Sequence, residues 1–339
     1  MVFKYCLPVL FLIFASCAPP PSRSEYALGT VCTVMLFDQS KNSVYRDVFA
    51  GVREIDNLMS VNIPSSDVSR INAAAGIERV NVHKDTFTVI ERAVFFAEIS
   101  SGAFDPSVGP LVSLWGIGGD NADVPLREEI DNALSMINWR DIELDAQTRG
   151  VFLKRKGMAL DLGAIAKGYA ADKAAEIIAD AGVKRAIIDF GGNIVTLGEK
   201  KDKSAWKVGI QNPNKKRGLY FGVIQVNKTD RKRTIVTSGV NERFFEKDGA
   251  RYHHILSTST GYPVNNGLLS VTITADSSTD ADALSTTLFA LGYEKGIKLI
   301  ASFPGTEAVF VFEDNTVRTT QWANFTITDN SFEFYNMQE

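Results

Sequence analysis

The chain has 339 residues, enough at about 150 per domain for one large domain or two ordinary ones with a hydrophobic core of their own. With 45% hydrophobic and 22% charged residues it is neither a disordered chain nor a multi-span membrane protein. Lys+Arg total 36 against 40 Asp+Glu, a net charge of -4, so the sequence lacks the basic excess that general nucleic-acid binding requires.

In chain order, the first segment carries a targeting signal. Lys4 precedes an apolar run from Tyr5 to Phe14, closed by Ala15-Ser16-Cys17. The run is too short to span a bilayer and has the anatomy of a signal peptide. Small residues before a cysteine point to a bacterial lipoprotein signal over residues 1–17, with Cys17 as the lipidated new N-terminus. Phe14 stands where such signals usually have Leu. An ordinary cleaved signal with a chance cysteine is the alternative. Residues 18–27, opening Ala18-Pro19-Pro20-Pro21-Ser22, read as an extended tether. Of the three cysteines, Cys6 leaves with the signal and Cys17 would carry lipid. Cys32 is then alone, so the mature chain has no internal disulfide, and its apolar surroundings mark a buried packing thiol.

Thr30–Phe37 is rich in β-branched residues and is expected to be a strand. Val44–Met59 places Val44, Val48, Val52, Ile55 and Leu58 at helical spacing. A second helix is expected over Asp85–Ser101, ended by Gly102, and a shorter one over Pro125–Met136. Strands are expected at Ile142–Asp145, Val151–Lys154 and Met158–Leu162. Ile165–Ala181 reads as a helix closed by Gly182. Ala186–Phe190 and Ile194–Leu197 flank Gly191-Gly192, the signature of a tight turn between strands. From Trp206 to Leu256 the chain is strand-like, interrupted by the basic loop Asn214–Arg217. A strand at Leu268–Ala275, helices at Thr279–Gly292 and Tyr293–Ala301, a strand at Glu307–Phe312 and edge strands after Thr316 complete the pattern. Without a regular βαβ repeat, the expected class is α+β: a single intertwined unit over residues 28–339, with mixed, largely antiparallel sheets and flanking helices.

The chemistry scan excludes more than it finds. No Walker-type phosphate loop, dinucleotide fingerprint, G-x-S-x-G elbow or zinc spacing is present. Gly116-Ile117-Gly118-Gly119-Asp120 is expected to be a flexible loop. Three segments pair glycines with acids or hydroxyls. Ser101-Gly102-Ala103-Phe104-Asp105-Pro106 places an acid at a turn after a helix. Asp161-Leu162-Gly163-Ala164-Ile165-Ala166-Lys167-Gly168 leads into a helix N-terminus, whose free N–H groups and positive dipole end suit a phosphate. Asp282 and Thr286, four apart on one helix face, could ligate a hard divalent cation through oxygen or could simply form a solvated face.

These segments, in this order, resemble the ApbE family of FAD:protein FMN transferases from about Leu28 to Gly292. The match rests on Leu28-Gly29-Thr30, on Met59-Ser60 with Ser69-Arg70-Ile71-Asn72, and on Gly102-Ala103-Phe104-Asp105-Pro106. It continues through Leu114-Trp115-Gly116, Asp161 to Tyr169, Asp189-Phe190-Gly191-Gly192-Asn193 and Thr237-Ser238-Gly239. It closes with His254-Ile255-Leu256, Thr260-Gly261-Tyr262-Pro263 and Ala281-Asp282-Ala283-Leu284-Ser285-Thr286.

The resemblance implies an exported, Mg²⁺-dependent enzyme that takes FAD as substrate and cuts its pyrophosphate. It would transfer FMN to a Thr or Ser hydroxyl of a redox partner protein and release AMP. Carried over by motif, FAD would be contacted by Leu28, Asn62, Ala103, Phe104, Asp105, Asp161, Lys167 and Leu256. The metal would be held by the backbone oxygen of Ala164 and the side chains of Asp282 and Thr286. His254 would take the proton from the acceptor hydroxyl, while His253 is expected to be structural or exposed. With the N-terminal signal this implies a lipid-anchored protein of the bacterial inner membrane facing the periplasm. The alternative is a lipoprotein that binds flavin without turning it over. Two departures from the family stand out. Asn62 occupies a position that is usually aromatic, so it cannot stack on flavin, and faster escape with FAD hydrolysis to FMN and AMP is expected. Ser257-Thr258 replace the usual Asp-Pro, which would reposition the loop beside Leu256.

Overall fold

The computed structural model describes residues 22–38, 42–226, 230–320 and 324–335. The signal segment, Cys17 and the first part of the tether lie outside the described residues.

The chain begins with the hairpin β1 (Ser22–Ala27) and β2 (Thr30–Leu36). Next come α1 (Asn42–Met59), α2 (Asp67–Ala73), the short β3 (Val80–Asn81), α3 (Lys84–Ile99), α4 (Gly109–Trp115) and α5 (Arg127–Ser135). β4 (Ile142–Asp145) and β5 (Gly150–Leu153) lead to α6 (Ala166–Asp180). β6 (Ala186–Phe190), β7 (Asn193–Leu197), β8 (Lys207–Gln211), β9 (Tyr220–Gln225), β10 (Lys232–Gly239), β11 (Phe244–Lys247), β12 (Ala250–His253) and β13 (Leu268–Ala275) form the central β-rich stretch. α7 (Ser278–Leu291), α8 (Tyr293–Ile300), β14 (Glu307–Phe312), β15 (Thr316–Thr319), β16 (Phe325–Ile327) and β17 (Glu333–Tyr335) close the chain.

A nine-stranded sheet, in the order β1-β2-β6-β7-β10-β13-β14-β15-β17, forms the spine. All its pairings are antiparallel except β15 with β17. The architecture is therefore α+β, as the irregular element order requires. Alternation along β10 shows how the sheet separates two cores. Val236 joins the cluster under α1, α6 and α7, while Ile235 joins the cluster formed with a three-stranded sheet, β16-β9-β8, on the opposite face. A third cluster surrounds Trp115, whose indole N–H donates to the Gly261 carbonyl at 2.8 Å.

Helix α1 buries Val44, Val48, Val52 and Ile55 of the stripe that its spacing predicts, with Met59 buried in place of the half-buried Leu58, and packs against α6. Leu28-Gly29 and Gly191-Gly192 are both two-residue hairpin tips with positive φ: 54° and 68° at the first, 65° and 98° at the second. Such turns match the right-handed twist of their strands. Leu28 holds its conformation without a glycine's freedom, at a cost of about 1–2 kcal/mol.

Four expectations change. Ser22–Ala27, assigned to the tether, pair residue for residue with Thr30–Met35 as an edge strand. Met158–Leu162 do alternate, with Met158, Leu160 and Leu162 buried, but no neighbouring strand is available and they form no strand. Their polar groups go elsewhere: Leu160 N–H donates to Asn72 Oδ1 at 2.7 Å and Asp161 N–H to the Pro106 carbonyl at 2.9 Å. Two short helices escaped the periodicity. Helix α2 is started by the Ser66 side chain, which accepts from the Ser69 N–H, and α4 is ended by Gly116 at φ 57°. Seven residues give too few turns for a 3.6-residue pattern to emerge. The glycine-rich stretch after Trp115 is a formed turn, with Gly119 N–H donating to the Gly116 carbonyl at 2.9 Å.

Candidate active site

A cleft of about 1240 Å³ opens between the β1–β2 tip, the loop after α1, the N-terminus of α6 and the chain before and after β11–β12. Every residue that the sequence assigned to flavin, metal or proton transfer lines it, apart from Cys17, which lies outside the described residues.

The cleft is organised where α6 meets α7. A Cβ at Gly168 would stand 2.2 Å from the Ser278 carbonyl oxygen and 2.8 Å from the Asp282 Cβ, so only glycine permits this approach. The contact lets the Gly168 N–H, in the first turn of α6, donate to Asp282 Oδ2 at 2.9 Å. Asp282 is buried, and its other oxygen lies 3.3 Å from Lys167 Nζ. That ammonium also donates to the Gly163 carbonyl at 3.0 Å. The helix N-terminus expected to hold a phosphate is thus partly occupied by a carboxylate of the protein itself. One turn further along α7, Thr286 Oγ1 lies 3.1 Å from Ser238 Oγ, which also lies 2.8 Å from Ser285 Oγ.

This oxygen set fits a hard cation. A lysine ammonium sits between Asp282 Oδ1 and the Gly163 carbonyl, so these two oxygens already converge on positive charge. Among the described residues no three His, Cys, Asp or Glu side chains converge on a metal-sized site. The donors on offer are one carboxylate with neutral hydroxyl and carbonyl oxygens, a composition suited to Mg²⁺ rather than to a soft metal.

His254 follows β12, half-buried in the cleft wall. Its Nδ1 lies 3.2 Å from the Arg243 carbonyl, which also receives the His254 N–H at 3.1 Å. A carbonyl can only accept, so Nδ1 carries the proton and Nε2 is left as the acceptor. Loss of hydration, together with the positive charge of Arg243, His253 and Lys167, pushes the imidazole down to about 3. It is therefore neutral at physiological pH, the state a general base requires. His253 is buried and structural: its Nε2 lies 2.9 Å from the Val264 carbonyl, and its Nδ1 accepts from the Ile255 N–H at 3.3 Å.

The remaining assigned residues shape the walls. Asp105 Oδ1 accepts from the Ser107 N–H at 2.8 Å and the Ser107 hydroxyl at 2.6 Å, and Oδ2 accepts from the Trp139 N–H at 3.0 Å. Both oxygens are engaged within the protein, so the carboxylate ties the chain at Ser107 to Trp139, while Ser100 Oγ accepts from the Phe104 N–H at 3.1 Å and holds the Ala103–Phe104 turn. Burial pushes the Asp105 pKa up, against its three hydrogen bonds. Asp161 accepts from the Gly163 N–H at 2.8 Å and is also pushed up by burial, with Arg243 and Lys167 opposing. Asn62 stands exposed at the mouth, its N–H donating to Ser60 Oγ at 3.2 Å. In the Ser257-Thr258 loop, Thr258 Oγ1 donates to the Gly102 carbonyl at 2.6 Å, and Leu256 is buried and bridged to Pro263.

Two cleft residues were not singled out from the sequence. The Arg243 guanidinium donates to the Gly29 carbonyl at 3.2 Å, tying the β1–β2 tip to the residue whose carbonyl receives the His254 N–H. Glu242 beside it is pushed up to about 7 by the walls of the cleft and by Asp282, with Lys167, Arg243 and Arg217 opposing. The Thr237-Ser238-Gly239 motif lies three residues upstream of Glu242 and was the available signal.

Comparison with known proteins gives the same assignment. Residues 28–310 match the model of the ApbE family. A Treponema pallidum protein named FAD:protein FMN transferase is 40% identical over 316 residues, covering 88% of this chain and 86% of that protein. A Klebsiella pneumoniae protein of the same name is 36% identical, covering 87% of this chain and 90% of its own length. The crystal structure of the ApbE protein from Thermotoga maritima superimposes with a TM-score of 0.79 at 35% identity, covering 88% of this chain and 96% of that one. The flavin transferase ApbE from Vibrio cholerae superimposes with a TM-score of 0.75 at 26% identity, covering 93% and 99%. A family match over residues 28–310, sequence identity of up to 40% along most of the chain and a shared fold place this protein in the ApbE family.

Proposed function

We propose that the protein is a Mg²⁺-dependent FAD:protein FMN transferase that cleaves the FAD pyrophosphate, attaches FMN to a Thr or Ser hydroxyl of an exported redox protein and releases AMP. The observation that carries this reading is the buried Asp282 held between the Gly168 N–H and Lys167, in the same cleft as a neutral His254. The family relatives bear the transferase name.

Pyrophosphate cleavage mainly requires positioning and neutralisation of charge. Lys167 supplies a positive charge beside the N-terminus of α6. The acceptor oxygen forms a bond to the FMN phosphorus, the bond from that phosphorus to the bridging oxygen breaks, and the hydroxyl proton goes to His254 Nε2. Asp282, Thr286 and the Ala164 carbonyl would hold Mg²⁺, which neutralises pyrophosphate oxygens and the departing AMP when bound. Water in place of the hydroxyl gives FAD hydrolysis to FMN and AMP. Asn62 offers no aromatic surface to retain flavin, which favours this side reaction.

The same proposal takes residues 1–17 as a lipoprotein signal and Cys17 as the anchor in the bacterial inner membrane, facing the periplasm. β1 begins at Ser22, five positions after Cys17. At most about 3.3–3.6 Å per residue, that span keeps the domain within roughly 20 Å of the bilayer. No helix among the described residues is long and apolar enough to cross a membrane.

The test is intact-mass analysis of an exported redox protein incubated with FAD, Mg²⁺ and this chain. A mass gain of one FMN, lost when the acceptor Thr is replaced by Val, supports the proposal. An unmodified acceptor and intact FAD would refute it.

A further inference from the structure

The cleft extends beyond the catalytic end. Its outer limb runs between the second face of the nine-stranded sheet and the β8–β9 hairpin. The floor is apolar, made by the half-buried Met35, Ile187 and Ile194, while Ile235 beside them is buried in the core beneath the three-stranded sheet. The residues expected to contact FAD stand on the other walls: the β1–β2 tip, the loop after α1 and the chain leading into α6. The outer limb is therefore left without an assigned occupant, and the cleft exceeds the roughly 300–1,000 Å³ of an ordinary small-molecule site.

The wall facing that floor is built rather than incidental. The Tyr220 ring lies over Gly209, where a Cβ would stand 2.6 Å from the ring carbons, so the glycine makes room for an exposed aromatic platform. The basic loop between the two strands is held in shape by Gln211. Its Oε1 accepts from the Gly218 N–H at 2.8 Å, and its Nε2 donates to the Asn212 carbonyl at 2.9 Å and the Lys216 carbonyl at 3.1 Å. Lys215 is paired with Asp329 at 2.7 Å. Lys207, Lys216 and Arg217 line the cleft, and among the described residues none of them has a carboxylate within ion-pair distance. Arg217 and Glu242 line the same cleft as His254. A cluster of unpaired cations in a chain of net charge -4 calls for an anionic partner.

We propose that the outer limb is the docking groove of the acceptor polypeptide: an extended acidic segment lies along the Met35, Ile187 and Ile194 floor beside the β8–β9 hairpin, with its hydroxyl residue at the His254 end. This rests on the transferase reading, which supplies a polypeptide substrate. The apolar floor and Tyr220 take the side chains of the extended segment, and Lys207 and Lys216 take its carboxylates.

The test uses the mature chain and two fluorescein-labelled peptides of equal length around a central Thr, one flanked by Asp and Glu, the other by Asn and Gln. Anisotropy reads peptide binding, and flavin fluorescence reads FAD binding. The acidic peptide is expected to bind tighter on the order of tenfold, and high salt should remove the difference. A Lys207→Glu/Lys216→Glu double variant should lose the preference with FAD affinity unchanged, and FAD should not displace the peptide. Equal binding of the two peptides, or displacement by FAD, would overturn the docking assignment while leaving the transferase reading in place. Failure of the wild-type chain to bind FAD would instead count against the transferase reading, and the inference would fall with it.

Discussion

Asp282 on α7 accepts the backbone N–H of Gly168 on α6 at 2.9 Å, across a helix contact that no side chain at position 168 would allow. One residue type thus sets the helix spacing, and another uses that spacing to hold a buried carboxylate beside Lys167. The catalytic end of the cleft depends on both.

Gly168→Ala should therefore damage the site and the fold together. The added Cβ meets a backbone oxygen at 2.2 Å, which cannot rotate away, so α6 and α7 must separate. Overpacking of this kind costs about 1–3 kcal/mol. Thermal denaturation should show a Tm lower by several degrees, and FAD turnover should fall with it. An unchanged Tm with full turnover would show that the contact does not constrain the site.

Asp282→Asn and Asp282→Ala should separate structure from chemistry. The Asn amide oxygen can still accept from Gly168, whereas Ala leaves that buried N–H without a partner and Lys167 without its carboxylate, a loss of about 1–3 kcal/mol. Chemical denaturation should place Asn near wild type and Ala well below it. Both variants should lose Mg²⁺-dependent turnover by at least roughly a hundredfold. Retained turnover in the Asn variant would mean that the carboxylate charge is not needed.

The state of His254 makes a prediction about pH. Its pKa in the folded protein is about 3, below the ordinary 6.5, so the unfolded chain binds its proton more readily. Stability contributed at this site is complete above pH 6.5 and is lost as the pH falls toward 3. His254→Gln should make the acid side of the stability profile shallower across that window. Transfer to a hydroxyl should fall by about 10²–10⁴ in the variant, the usual contribution of a general base. In the wild type, transfer should not decline as pH drops through 6.5 on account of this histidine. A decline there that disappears in His254→Gln would show that the imidazole titrates normally.

Asn62→Tyr should restore an aromatic surface at the mouth of the cleft. Stacking contributes about 0.5–1.5 kcal/mol, so FAD should be retained up to roughly tenfold longer. Hydrolysis without an acceptor should slow, and stopped-flow fluorescence can compare the two flavin release rates. Unchanged release would remove Asn62 from the account of hydrolysis.

Much of this site could be read from the sequence because its chemistry sits in contiguous segments. Lys167 and Gly168 share a helix start, Asp282 and Thr286 share a helix face, and His254 lies in a recognisable run. What escaped is what depends on approach between distant segments. Arg243 matters because its side chain reaches Gly29, and Glu242 because the folded chain sets its carboxyl near Asp282. Met158–Leu162 had the right alternation for a strand, but strand formation needs a partner, and the fold supplies Asn72 and Pro106 instead. Ser22–Ala27 follow a proline-rich start, yet they pair because β2 offers a free edge.

The most direct measurement is mass-resolved chromatography of FAD incubated with the mature protein and Mg²⁺, without acceptor, for wild type and Asp282→Asn. The account predicts FMN and AMP in equal amounts from the wild type, abolished by chelator and absent from the variant. FAD that stays intact with the wild type, or is cleaved equally by the variant or in chelator, would contradict it.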